Sequence, residues 1–159
     1  MKPIHIHFVC TGNAYRSRLA EAYLRSKKLP HVIVSSSGIG AKKYYFENGP
    51  ISWYAARLIK RHNLIPHTAP MSVNTTSRHL ERADVVIFME NEQYRHAKSN
   101  LKFKKDAFEI WDIPDIDDAD FFNTERDSDE MRIQFSEKTF TEIKHKVDEL
   151  AKKLSNANR

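Results

Sequence analysis

The strongest constraint on the fold is an alternation of two periodicities. Short apolar runs recur along the chain, separated by stretches whose apolar residues return at helical spacing. The clearest run is Asp84 to Met89, DVVIFM. It is continuously apolar, as a strand covered on both faces is, and lacks the in–out pattern of a half-exposed one. Ile4, Ile6, Phe8 and Val9 predict an earlier strand, Val32 to Ser37 (VIVSSS) a second, and Phe108 to Trp111 (FEIW) a shorter fourth. Between them lie helical patterns over Leu19 to Lys27, Ser52 to His62, Ser77 to Arg82 and Asn91 to Lys98. Near the end Ile143, Val147, Leu150 and Leu154 share one helical face. Strands alternating with helices predict an α/β fold of three layers, a central four-stranded parallel sheet with helices on both faces. No linker, repeat or low-complexity tract divides the chain, so residues 1–159 read as a single domain. In such sheets ligands bind at the carboxyl ends of the strands.

That end of the first strand carries VCTGNAYRS, Val9 to Ser17, with the only cysteine of the sequence, Cys10, and an arginine six positions on, Arg16. An ordinary thiol titrates near pH 8.5 and is a poor source of thiolate at neutral pH. A turn whose amides point inward, just before a helix N-terminus, favours the anion and makes a nest for a tetrahedral oxyanion. Gly12 can supply the positive φ such a turn needs, and Asn13 tolerates it better than most residues. Arg16 offers a planar cationic fork that matches two phosphate oxygens. Ser17 can cap the helix or donate to the thiolate. A lone cysteine is usually a small buried hydrophobe. Its place after a strand, in a glycine-containing turn that opens a helix with an arginine, points instead to an anion-binding nucleophile.

Composition narrows the rest. One cysteine allows neither an intramolecular disulfide nor a structural zinc site of the usual thiolate count. No apolar run approaches the length of a membrane span or of a secretory signal, so the expected location is cytoplasmic, with no membrane partner. The net charge of +5 is spread over scattered lysines and arginines, whereas Asp112, Asp115, Asp117, Asp118 and Asp120 crowd one segment. Such a segment would repel a polyanion, so no nucleic-acid partner is expected. That acidic run lacks the glycine and distal glutamate of a calcium loop, and His5 and His7 alternate on a strand with no third ligand nearby. They read as structural, and no metal is expected. Trp53 and Trp111 read as core or loop packing.

The stretch FVCTGNAYRSRLAEAYL resembles the phosphate loop of the low-molecular-weight protein tyrosine phosphatases, usually V-C-x-G-N-x-C-R-S-P-x-A-E. The resemblance continues through SSSGIGA (Ser35 to Ala41), Gly49 and Pro50, HTAPMS from His67, and ADVVIFMENEQ. WDIPDID, Trp111 to Asp117, falls where the family carries its general acid. The resemblance implies that Cys10 is a nucleophile forming a phosphocysteine and that Arg16 binds the transferring group. The amides of Thr11, Gly12, Asn13, Ala14, Tyr15 and Arg16 would hold the phosphate, Asn13 the loop geometry and Ser17 the thiolate. Asp115 would protonate the leaving group and then activate water. Asp112, Asp115, Asp117 and Asp118 lie within seven residues, and spacing alone does not choose among them; Pro114 and Trp111 set the alignment on Asp115. The implied substrate is a phosphotyrosine protein or a small aryl phosphate, with inorganic phosphate or vanadate as inhibitor and no cofactor.

The sequence departs from the family in three places. Tyr15 stands where the family has a second cysteine, Arg18 where it has proline, and Ile116, Asp117 and Asp118 where it has a proline and two aromatics. Tyr44, Tyr45 and Phe46 could supply aromatic surface from another loop. Two other readings share the loop. An arsenate reductase would need further cysteines to resolve its adduct, and a phosphate-binding module would bind without catalysis.

Overall fold

A computed structural model of the protein describes residues 2–118 and 128–156. Asp120 and the side chain of Asp118, both part of the acidic segment read from the sequence, lie outside the described residues. In chain order the elements are β1 (Ile4–Cys10), α1 (Arg16–Ser26), β2 (Val32–Gly38), α2 (Ala41–Asn48), α3 (Trp53–Arg61), a 3₁₀ turn (Ile65–His67) and α4 (Ser77–Arg82). There follow β3 (Val85–Phe88), α5 (Asn91–Asn100), β4 (Phe108–Ile110), a second 3₁₀ turn (Ile116–Asp118) and α6 (Asp129–Asn156). The strands form one parallel sheet in the order β2-β1-β3-β4, the architecture that the alternating pattern predicts.

Strand β1 shows why the sheet needs helices on both faces. Ile6, Phe8 and Cys10 join a cluster with Leu19 of α1, Leu58 of α3 and Phe140, Ile143 and Val147 of α6. Val9 turns the other way, into a cluster with Leu80 of α4, Phe88 and Ala97 of α5. At roughly 25 cal/mol per Å² of apolar surface, these two cores are the main drive for folding. His7 also faces α4. Its Nδ1 lies 2.6 Å from Ser35 Oγ, its Nε2 2.7 Å from Ser37 Oγ, and its ring stacks on His79. His5 reaches the same Ser35 hydroxyl. The two histidines are therefore fastened to β2 by hydroxyls, in the structural role their alternation suggested. Trp111 is buried against Phe8, as packing.

The helices differ from the sequence reading in two places. Helix α1 begins at Arg16, not Leu19, because its first turn is built from buried Arg16 and Arg18, whose polarity conceals the inward face. Helix α2 takes up Tyr44, Tyr45 and Phe46, expected in a loop. It buries only Ala41 and so shows no apolar stripe. Among the described residues no helix is long and apolar enough to cross a membrane.

Candidate active site

Parallel strands bring the carboxyl ends of β1, β3 and β4 to one edge, where the loops after β1 and β4 form a cavity of about 270 Å³ together with the end of α2 and the start of α3. Cys10, Ala14 and Arg16 form part of its lining. Asn48, Trp53 and Tyr54 line it too, as do Asp115, Ile116 and Asp117.

The loop after Cys10 turns through Asn13, whose φ is +50°. The left-handed position thus falls on asparagine, not on Gly12. Gly12 serves a close approach instead, since a Cβ there would sit 3.0 Å from Asn48 Nδ2. Gly38, at the end of β2, is the tighter requirement: a Cβ would come within 2.5 Å of Asn13 N and Thr11 O. The loop lies directly against that bare backbone. Asn13 then fastens it with its whole side chain. Its Nδ2 donates to Ser17 Oγ at 2.8 Å and to Ser36 Oγ at 2.9 Å, while its Oδ1 accepts from Val73 N at 2.8 Å.

These bonds orient the hydroxyl of Ser17. Because Ser17 Oγ accepts from Asn13, its own proton is free to point at Cys10 Sγ, 2.9 Å away. The Asn13 amide donates to the same sulfur at 3.2 Å. Ser17 Oγ lies at the sulfur, and α1 has no side-chain cap among the described residues. Gln93, at the start of α5, holds the loop from the other side by donating to Thr11 Oγ1 at 3.1 Å.

Arg16 is almost fully buried, and its fork joins two strand ends. Nη1 donates to Glu90 and to Ile113 O, and Nη2 to Asp115 Oδ2 at 2.9 Å. Burial opposes the charge, but Asp115, Cys10 and Glu90 outweigh it and hold the guanidinium above its ordinary pKa. Arg16 is therefore a fixed cation beside the sulfur.

Asp115 and Asp117 line the cavity, whereas Asp112 faces a separate groove with Glu92 and Arg95. Tyr15 also lines the cavity and is largely buried, and burial pushes its phenol above the usual tyrosine range. The aromatic wall is not the one expected. Tyr44, Tyr45 and Phe46 are absent from the lining, and Phe46 is 96% exposed. Trp53, read as packing, is 60% exposed and lines the cavity with Tyr54. Glu90 is the residue that sequence reasoning missed. It follows β3 as Cys10 ends β1, so the carboxyl-end rule that singled out Cys10 applies to it equally. Among the described residues no group of three or more His, Cys, Asp or Glu side chains is placed to hold a metal ion.

A sulfur and a cationic fork at the base of a cavity, with an aspartate on its wall, suit phosphoryl transfer. The family model for low molecular weight phosphotyrosine protein phosphatase matches residues 5–159, and the chain belongs to that family of phosphatases. It is 36% identical over 87 residues to the protein-arginine-phosphatase of Geobacillus stearothermophilus, a match spanning 55% of each chain and so about half of that relative. It is 34% identical over 113 residues to EpsP, a probable low molecular weight protein-tyrosine-phosphatase of Ralstonia nicotianae, covering 67% of this chain and 74% of that one. The solution structure of a low molecular weight protein tyrosine phosphatase from Bacillus subtilis superposes with a TM-score of 0.74 at 25% identity, covering 98% of this chain and all of the other.

Proposed function

We propose that the protein hydrolyses phosphotyrosine, in a protein or as a small aryl phosphate, through a phosphocysteine at Cys10. The observation that carries this reading is the sulfur itself, which takes hydrogen bonds from the Ser17 hydroxyl and the Asn13 amide beside the Arg16 fork. The phosphoryl dianion would sit on the amides of Thr11 to Arg16. It would replace Asp115 on Arg16 Nη2, since both are oxygen anions competing for one fork. Released from the guanidinium, the Asp115 carboxylate takes up a proton from solvent and passes it to the leaving phenolate oxygen as the S–P bond forms and the P–O bond breaks. Asp115 then takes a proton from the water that cleaves the S–P bond, and Ser17 stabilises the thiolate as it leaves. Trp53 and Tyr54 offer apolar surface for the ring.

A second reading has its own support. Glu47 and Asp117 line the same cavity as the Trp53 indole, a combination of carboxylates and an aromatic that suits a guanidinium. The arginine phosphatase relative makes phosphoarginine the matching substrate class. Comparing kcat/KM for a phosphotyrosine and a phosphoarginine peptide of equal sequence decides between them. The first reading predicts a preference for phosphotyrosine and loss of both activities in Cys10→Ser. A preference for phosphoarginine selects the second, and full activity in Cys10→Ser refutes both.

A further inference from the structure

We propose that Arg18 is a positioning residue of the phosphate loop, a second cation that acts on the bound anion from behind. The inference rests on the reading that this loop binds a phosphoryl group. Arg18 is 2% exposed and lies in the first turn of α1, behind the loop. It is not among the cavity-lining residues. An arginine so deeply buried ordinarily faces a carboxylate. Among the described residues Arg18 has no ion pair, and its bonds go to main-chain carbonyls instead. Nη1 donates to Asn13 O at 3.3 Å and to Pro50 O at 2.8 Å, and Nη2 donates to Ala69 O. Its buried Nε has no partner.

These three carbonyls belong to three segments, and two of them build the cavity. The carbonyl of Asn13 and the N–H of Ala14 are the two ends of one peptide unit. If that N–H faces an anion in the cavity, the carbonyl must face away from it, and there it meets Arg18. A cationic donor on the oxygen fixes the plane of the peptide and polarises its N–H, making it a stronger donor to phosphate. The next peptide is tied to the same place, because Ala14 O accepts from Ser52 N at 2.8 Å. Pro50, whose carbonyl Arg18 also holds, precedes Ser52 in the turn that leads to Trp53 and Tyr54. One guanidinium therefore sets the loop against the cavity wall. Among the described residues Arg16, Asp115, Asp117, Glu47 and Arg132 are the charged groups that line the cavity, and the ion pair of Glu21 on α1 is made with Arg25 and not with Arg18.

A residue that merely packs would lower stability without changing what the folded site binds. The test compares the parent with Arg18→Met and Arg18→Lys by thermal midpoint, by kcat and KM for p-nitrophenyl phosphate, and by competitive inhibition with inorganic phosphate. Arg18→Met should weaken phosphate inhibition about tenfold, as loss of a charge-assisted bond to the loop implies. KM should rise with it and kcat should fall. Arg18→Lys keeps the charge and stem, but one ammonium cannot span the three carbonyls. It should recover more of the thermal midpoint than of the phosphate affinity. A folded variant of either kind with the parent's inhibition constant overturns the inference, whatever its midpoint. If Arg18→Met does not fold, Arg18→Lys decides alone. A parent that neither hydrolyses p-nitrophenyl phosphate nor binds phosphate by calorimetry would instead overturn the reading of the site.

Discussion

Replacing Asn13 should be costly in a way that can be divided. Its side chain makes three hydrogen bonds, to Ser17, Ser36 and Val73, and its backbone holds φ at +50°. At about 1 kcal/mol per bond, losing all three costs about 3 kcal/mol. Asn13→Ala also gives up asparagine's tolerance of the left-handed region, a strain of about 1 kcal/mol, for a total of about 4 kcal/mol. Asn13→Gly avoids that strain but adds about 0.5–1 kcal/mol of backbone entropy, so it should remain the more stable of the two. In a chain of 159 residues each kcal/mol moves the thermal midpoint by about 2–4 °C, so Asn13→Ala should unfold at least about 8 °C early. Circular dichroism melts of both variants read this directly. The p-nitrophenyl phosphatase activity measured below either midpoint should fall as well, since Ser17 loses the bond that points its proton at Cys10. An Asn13→Ala protein within about 1 kcal/mol of the parent, or one more stable than Asn13→Gly, would refute this account of the loop.

Other perturbations test other parts. Burial, with His79 and then His5 beside it, lowers the pKa of His7 to about 3 from 6.5, so the folded protein keeps it neutral while the unfolded chain takes up a proton below 6.5. Stability is therefore lost as pH falls from 6.5 towards 3, about 2 kcal/mol of it between pH 7 and pH 5; urea melts should show that loss reduced in His7→Gln, and equal losses would exclude His7 as its source. Asp115→Asn should slow phenyl phosphate by about 10²–10⁴ and an activated aryl phosphate far less; a uniform effect, or the same signature in Asp117→Asn instead, would move the acid elsewhere. Arg16→Lys should nearly abolish turnover of p-nitrophenyl phosphate, because an ammonium cannot make the two-pronged contact, and a variant with most of the parent's kcat would contradict that geometry.

The sheet was legible because Val86 to Met89 of DVVIFM are buried and leave a continuous apolar signature, with shorter apolar runs at Ile6 and Val34 to pair beside it. The loop was legible because its parts are contiguous, from Cys10 to Ser17. What stayed hidden follows from two physical causes. Helix α2 buries one alanine and presents its aromatic residues outward, so no periodic stripe announces it. The first turn of α1 hides its inward face behind buried arginines. The second cause is chain separation. Arg16 meets Glu90 and Asp115 across 74 and 99 residues, and Trp53 reaches the cavity from a different helix; such pairings come from sheet order, which a run of residues does not encode. The left-handed φ went to Asn13, whose side chain fastens it from three sides, while Gly12 lies close to the Asn48 side chain.

The central claim is that phosphorus passes through Cys10. The most direct measurement is to mix Asp115→Asn, in which breakdown of the intermediate should be slowed, with an activated aryl phosphate and quench within the first turnover. Mass spectrometry of the peptides then locates the phosphoryl group. The account predicts a burst of phenol approaching one equivalent of enzyme, with the phosphoryl group on Cys10 and both signals absent from a Cys10→Ala version of the same variant. Turnover without a burst, a phosphoryl group on any other residue, or hydrolysis that survives loss of the thiol would contradict it.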